Sequence, residues 1–107
     1  MSTNSEYKWK IGYCVANVEE MNPLYFRWMK DVALQCERFI LGIPNNEIMM
    51  KLFGNREDYN AEFVKEFWYE IKWIDDVIIL DFEHLDYRKM YKMLSFNVCF
   101  YGSRYGL

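Results

Sequence analysis

Residues 10–36 read KIGYCVANVEEMNPLYFRWMKDVALQC and carry two different periodicities joined by a polar loop. The first seven, KIGYCVA, form a short apolar run rich in β-branched and aromatic side chains, the pattern of a buried strand. The polar NVEEMN that follows reads as loop. Asn22 then precedes Pro23, a capping residue followed by the residue best suited to the first helical position. From there Tyr25, Trp28, Met29, Val32, Ala33 and Cys36 recur at helical spacing.

The same alternation repeats downstream. Residues 38–43, RFILGI, read as a second strand ended by Pro44. Asn45 or Asn46 can cap a short helix reaching Leu52, with Glu47 in its first turn. Residues 61–73 form the clearest helical pattern, its stripe being Val64, Phe67, Trp68, Ile71 and Ile74. Residues 77–80, VIIL, read as a third strand. Asp86 caps a helix with Tyr87, Met90, Tyr91 and Leu94 on one side, and residues 98–101, VCFY, give the last strand. The order β-α-β-α-α-β-α-β, with strands that are apolar throughout, predicts a doubly wound α/β domain with at least four parallel strands. Ligands of such folds sit outside the carboxyl ends of the strands. That places a site near residues 16–22, 44–46 and 101–104.

Composition narrows the function classes. The 107 residues make one domain, residues 1–107, with loose stretches at 1–7 and 54–60. A net charge of −3 excludes a strongly basic nucleic-acid module. No secretory h-region and no run near the ~20 apolar residues of a membrane span is present, so a cytoplasmic protein is expected. Cys14, Cys36 and Cys99 are odd in number and widely spaced, which reads as buried thiols in a reducing compartment, with no metal site. His84, in the acidic stretch DFEHLD, reads as a solvated loop or cap residue. There is no G-x-G-x-x-G, no phosphate loop of the Walker type and no nucleophile triad. Twenty-one aromatic residues exceed what one small core can hold, so some belong at an interface or in a pocket.

Four blocks in order resemble the cytidylyltransferase branch of the nucleotidyltransferases, which includes the glycerol-3-phosphate, choline-phosphate and ethanolamine-phosphate cytidylyltransferases. These blocks are IGYCVANVEEMNPLYFRWMKDVALQC, RFILGIPNNE, IKWIDDVII and NVCFYGSRYG, and the resemblance runs from about residue 8 to residue 105. The resemblance implies a Rossmann-like, nucleotidyltransferase-like sheet. It also implies a motif, Gly-x-Phe-Asp-x-x-His-x-Gly-His, whose histidines bind phosphates and stabilise charge at the attacked α-phosphate. On that motif Ala16 takes the first Gly, Val18 the Phe, Glu19 the Asp, Asn22 the first His, Leu24 the second Gly and Tyr25 the second His.

The departures cluster at the catalytic positions. Asn22 and Tyr25 donate hydrogen bonds but carry no positive charge near neutral pH. Leu24 brings a side chain where the family lets backbone approach phosphate. The family's Arg of the third helix falls at Val64. Its Gly-Asp-Asp becomes Gly102, Ser103 and Arg104, and its Arg…Gly-Ile-Ser-Thr-Thr segment would lie beyond Leu107.

The expectation is a domain that has lost catalysis and acts as a binding or assembly module, a pseudoenzyme with a vestigial nucleotide-binding cleft. Ala16, Asn17, Glu19, Asn22, Tyr25, Asn45 and Arg104 would border that cleft, with Asn46 capping nearby and Lys10, Arg27 and Lys51 adding positive potential. No catalytic residue is assigned beyond the degenerate positions Asn22 and Tyr25. No cofactor is expected, Mg²⁺ and CTP entering only where activity survives. The alternative is a divergent nucleotidyltransferase that uses CTP or another NTP to activate a small phosphorylated alcohol such as glycerol-3-phosphate. Partners would be a second copy, by the family's habit of homodimers, and a nucleotide or another protein. Phe63 and Tyr69 fall off the helical stripe and are the aromatics expected on the surface.

Overall fold

A computed structural model describes residues 7–16, 22–54 and 59–100. The order is β1 (Trp9–Val15), α1 (Pro23–Ala33), β2 (Cys36–Pro44), α2 (Asn46–Phe53), α3 (Ala61–Tyr69), β3 (Asp76–Leu80), a 3₁₀ turn (Glu83–Leu85), α4 (Tyr87–Leu94) and β4 (Val98–Phe100). All strand pairs are parallel, in the order β3-β2-β1-β4. The domain is a Rossmann-like α/β fold with helices between its strands. Cys14 stands beside Leu41 and Phe100, and Tyr13 beside Ile40 and Cys99, so alternate residues face opposite sides.

Both faces are covered, which is why the strands read as unbroken apolar runs. On one side α1 and α3 pack Tyr25, Met29, Val32 and Trp68 over Cys14, Phe39, Leu41 and Val77. On the other, Met90 of α4 packs with Tyr13, Ile40 and Leu80. Tyr13 is fully buried, stacked on Phe96 at 5.3 Å and edge-on to Tyr87 at 6.3 Å. Its hydroxyl end crosses Gly42, where a Cβ would fall 2.7 Å from Oη, so the close approach requires glycine there. The Oη finds no hydrogen-bond partner among the described residues, and burial holds it well above the usual phenol range. A buried unsatisfied hydroxyl costs about 1–3 kcal/mol. Tyr13→Phe is therefore expected to raise the urea unfolding free energy by about 1 kcal/mol. A loss of stability would show that the hydroxyl is satisfied.

The largest boundary difference from the sequence reading is at the end of α3. The helix expected over residues 61–73 ends at Tyr69. Its last turns tighten, with the N–H groups of Glu70, Ile71 and Ile74 donating to carbonyls three residues back. The chain is then drawn into β3 by Asp75, whose carboxylate accepts the Phe39 N–H at 2.7 Å and whose own N–H donates to Phe39 O at 2.9 Å. Phe67, expected in the buried stripe, is 58% exposed. The core positions of α3 are Ala61 and Trp68, two turns apart, and Phe67 lies about 100° from Trp68 around the helix. Phe63 and Tyr69 are exposed as expected.

Tyr59 and Asn60, inside the stretch read as loose, are fixed. Tyr59 Oη donates to Pro44 O at 2.6 Å, and Asn60 caps α3 by accepting from the Phe63 N–H. Cys14 and Cys36 are buried, whereas Cys99 on the edge strand is half-buried rather than in the core. Residues 1–6, 55–58 and Tyr101 lie outside the described residues.

Candidate functional site

In this sheet the strand order reverses between β1 and β4. α1 leaves β1 toward one face, while α4 enters β4 from the other. The carboxyl edge at that reversal is where an α/β fold presents its ligand crevice. Four of the residues picked from the sequence reach it: Ala16, Asn22, Tyr25 and Asn45. Asn17, Glu19 and Arg104 lie outside the described residues, as do Val18, Gly102 and Ser103.

Each of the four is occupied in holding the fold. Ala16 is buried, and its N–H extends the β1–β2 ladder to Gly42 O at 2.8 Å. Asn22, in extended backbone before Pro23, caps α1, its side-chain oxygen accepting the Tyr25 N–H at 3.0 Å. Tyr25 is only 6% exposed, stacked on Trp28 at 5.8 Å within the α1–α3 core. Asn45 caps α2 through the Ile48 N–H at 2.9 Å and donates its own N–H to Leu80 O. Its neighbour Asn46 accepts the Ala61 N–H at 2.9 Å, tying the start of α3 to the start of α2. Each of these oxygens already accepts a backbone N–H, and what the asparagines can offer an anion is their neutral NH₂ groups, which carry no charge. Leu24, which the resemblance sets at a Gly position, is 78% exposed, so a bulky apolar side chain stands in solvent there.

The expected cations divide. Lys10 is the second residue of β1, so at ~3.3 Å per residue it lies ~17 Å from the strand's carboxyl end. It lines a shallow depression of about 250 Å³ with Tyr7, Lys8, Trp9 and Glu37, at the opposite edge of the sheet. Lys10 therefore adds nothing to the crevice. Lys51 does reach the carboxyl edge, its Nζ 5.4 Å from the ring of Phe82 just after β3. Arg27 is exposed on α1.

One pair at that edge escaped the sequence reading. Asp81, directly after β3, accepts from the His84 N–H at 2.8 Å and lies 2.6 Å from His84 Nδ1. These bonds hold the Asp81 carboxyl below its usual range. The signal was the Asp-x-x-His spacing, which lets one carboxylate cap a turn and orient the imidazole of its third residue. His84 is thus partly covered rather than simply solvated. No group of three or more His, Cys, Asp or Glu side chains that could hold a metal occurs among the described residues.

The thiols are quiet. Burial, then the proximity of Cys99, pushes Cys14 up to about 12, and burial, then Asp75, pushes Cys36 up to about 11. Nucleophilic cysteines sit in electropositive, accessible surroundings instead. No helix among the described residues is long and apolar enough to cross a membrane. Comparison of the chain with protein-family models, with curated proteins and with solved structures finds no match.

Proposed function

We propose that the chain is a cytidylyltransferase-like domain that has lost catalysis and works as an assembly module, with a second copy as its first partner. The observation that carries this reading is the use made of Asn22 and Tyr25. The first spends its side chain on a helix cap and the second is buried, where the resemblance puts two phosphate-binding histidines. Thiols that are buried at Cys14 and Cys36 and half-buried at Cys99 fit a reducing compartment, the cytoplasm. The competing reading, a divergent transferase acting on CTP or another NTP, needs positive charge where the described motif positions offer none.

Thermal unfolding with CTP and with ATP, each with Mg²⁺ at millimolar concentration, separates the two. A ligand at 100 times its Kd adds about 2.7 kcal/mol, a shift of roughly 10 °C or more in a domain of this size. We expect the midpoint to stay within experimental scatter for both nucleotides. A shift with CTP that disappears without Mg²⁺ would overturn the reading in favour of a working nucleotide site.

A further inference from the structure

The outer surface of the α1–α3 layer separates charge by helix. α1 exposes Arg27 and Lys30, with Asp31 its only exposed acid, whereas α3 exposes Glu62, Glu66 and, at its cap, Glu70. None of the three glutamates has an ion-pair partner among the described residues. Lys65, the one cation of α3, is turned aside over the Tyr69 ring at 5.8 Å. Among these charges stand large apolar side chains: Leu24 on α1, Leu34 at its C-cap, and Phe63 and Phe67 on α3, each more than half exposed. Phe26 of α1 stacks on Trp68 of α3 at 6.1 Å, so the two helices and their opposite charges lie side by side.

We propose that this face binds a second copy of the chain about a two-fold axis running along the helices, so that α1 of each protomer lies on α3 of the other. The inference deepens the assembly reading by naming its surface, and it holds whether or not a nucleotide binds. Symmetry decides the arrangement. Both helices return the chain from the carboxyl to the amino edge of a parallel sheet, so they run in the same direction. An axis along them exchanges their positions, setting Arg27 and Lys30 against the partner's glutamates twice while covering the phenylalanines. The other in-plane axis would lay α3 on α3, glutamate against glutamate, which costs energy at each contact.

The face is small. At 1.5 Å per residue α3 is about 14 Å long, and packed helices lie about 10 Å apart. It falls short of the ~800 Å² per partner of a standard stable interface, so the charges must decide the affinity and salt must weaken it.

Sedimentation equilibrium of the full chain in low salt, without nucleotide, reads this directly. The expected mass at high micromolar concentration is twice the 13.2 kDa of the chain. One molar salt should raise the dimer dissociation constant at least tenfold. Arg27→Glu with Lys30→Glu should leave a monomer, as should Glu62→Lys with Glu66→Lys. All four positions are exposed, so circular dichroism should be unchanged. Combining the four changes in one chain should restore the dimer, and mixing the two singly reversed chains should give a heterodimer. A 13.2 kDa mass for the unmodified chain at every concentration, or a dimer indifferent to both reversals, overturns the proposal. A nucleotide-induced shift in unfolding would instead count against the loss of catalysis and leave the interface standing.

Discussion

Trp68→Ala is expected to remove about 3–5 kcal/mol of stability, the range for deleting a large buried aromatic from a packed core. Trp68 is 1% exposed and lies where α3 meets α1, with Phe26 stacked on it at 6.1 Å and Phe67 edge-on at 5.5 Å. It packs in the cluster that includes Leu41, Ile43 and Val77 of β2 and β3. Truncation leaves a void that neither the sheet beneath nor the helix beside it can fill. A domain of this length holds about 5–15 kcal/mol in all, so the variant should lose about a fifth of its stability or more. Its melting midpoint should fall by on the order of 20 °C. Urea unfolding followed by circular dichroism checks the value. Leu52→Ala, at a position 58% exposed, is the control and should stay within about 0.5 kcal/mol of the parent. A loss below about 1 kcal/mol at Trp68 would mean that α3 is not docked on the sheet as described.

The elements were legible wherever one signal sufficed. KIGYCVA is apolar on both faces because both faces are covered, and its run predicted β1 to within a residue at either end. Asn22-Pro23, Asn45 or Asn46, and Asp86 named three helix starts; Asn45 is the cap of the open pair, and Asn22, Asn45 and Asp86 each accept a backbone N–H of their helix. The end of α3 was not legible. Ile71 and Ile74 continue the helical spacing, and only a contact 36 residues back in the chain, Asp75 with Phe39, shows where the strand takes over. Phe67 misled for a related reason. It is as apolar as Trp68, and the choice of which one turns inward follows from the partner Phe26 on α1.

The candidate site was legible in part. Sequence order alone brings residues 16, 22, 25 and 45 to one edge of the sheet. What it could not say is that Tyr25 points into the core and that Asn22 and Asn45 are committed to caps. The Asp81–His84 pair was missed because its chemistry depends on a turn three residues long beyond β3. Lys10 was misplaced because proximity in sequence to Ala16 is not proximity in an extended strand.

On the reading proposed above, the positions that resemble the motif serve structure rather than chemistry. A nucleotidyl transfer builds negative charge on the attacked phosphate, and each preorganised donor or cation lost from that place costs about 10²–10³ in rate. On the proposed resemblance, Asn22 and Tyr25 take the places of two histidines and Val64 that of an arginine. The losses are not additive, but together they should leave turnover on the order of 10⁴-fold or more below a working relative. Restoring the motif as Asn22→His/Leu24→Gly/Tyr25→His would put an imidazole into the buried place of Tyr25, so it should lose stability before it gains any rate. The measurement that tests the claim most directly is pyrophosphate release from CTP by the unmodified chain, with glycerol-3-phosphate, phosphocholine and phosphoethanolamine in turn. No release above the protein-free background is expected with any of the three. Robust release that Asn22→Ala or Tyr25→Phe abolishes would contradict the claim.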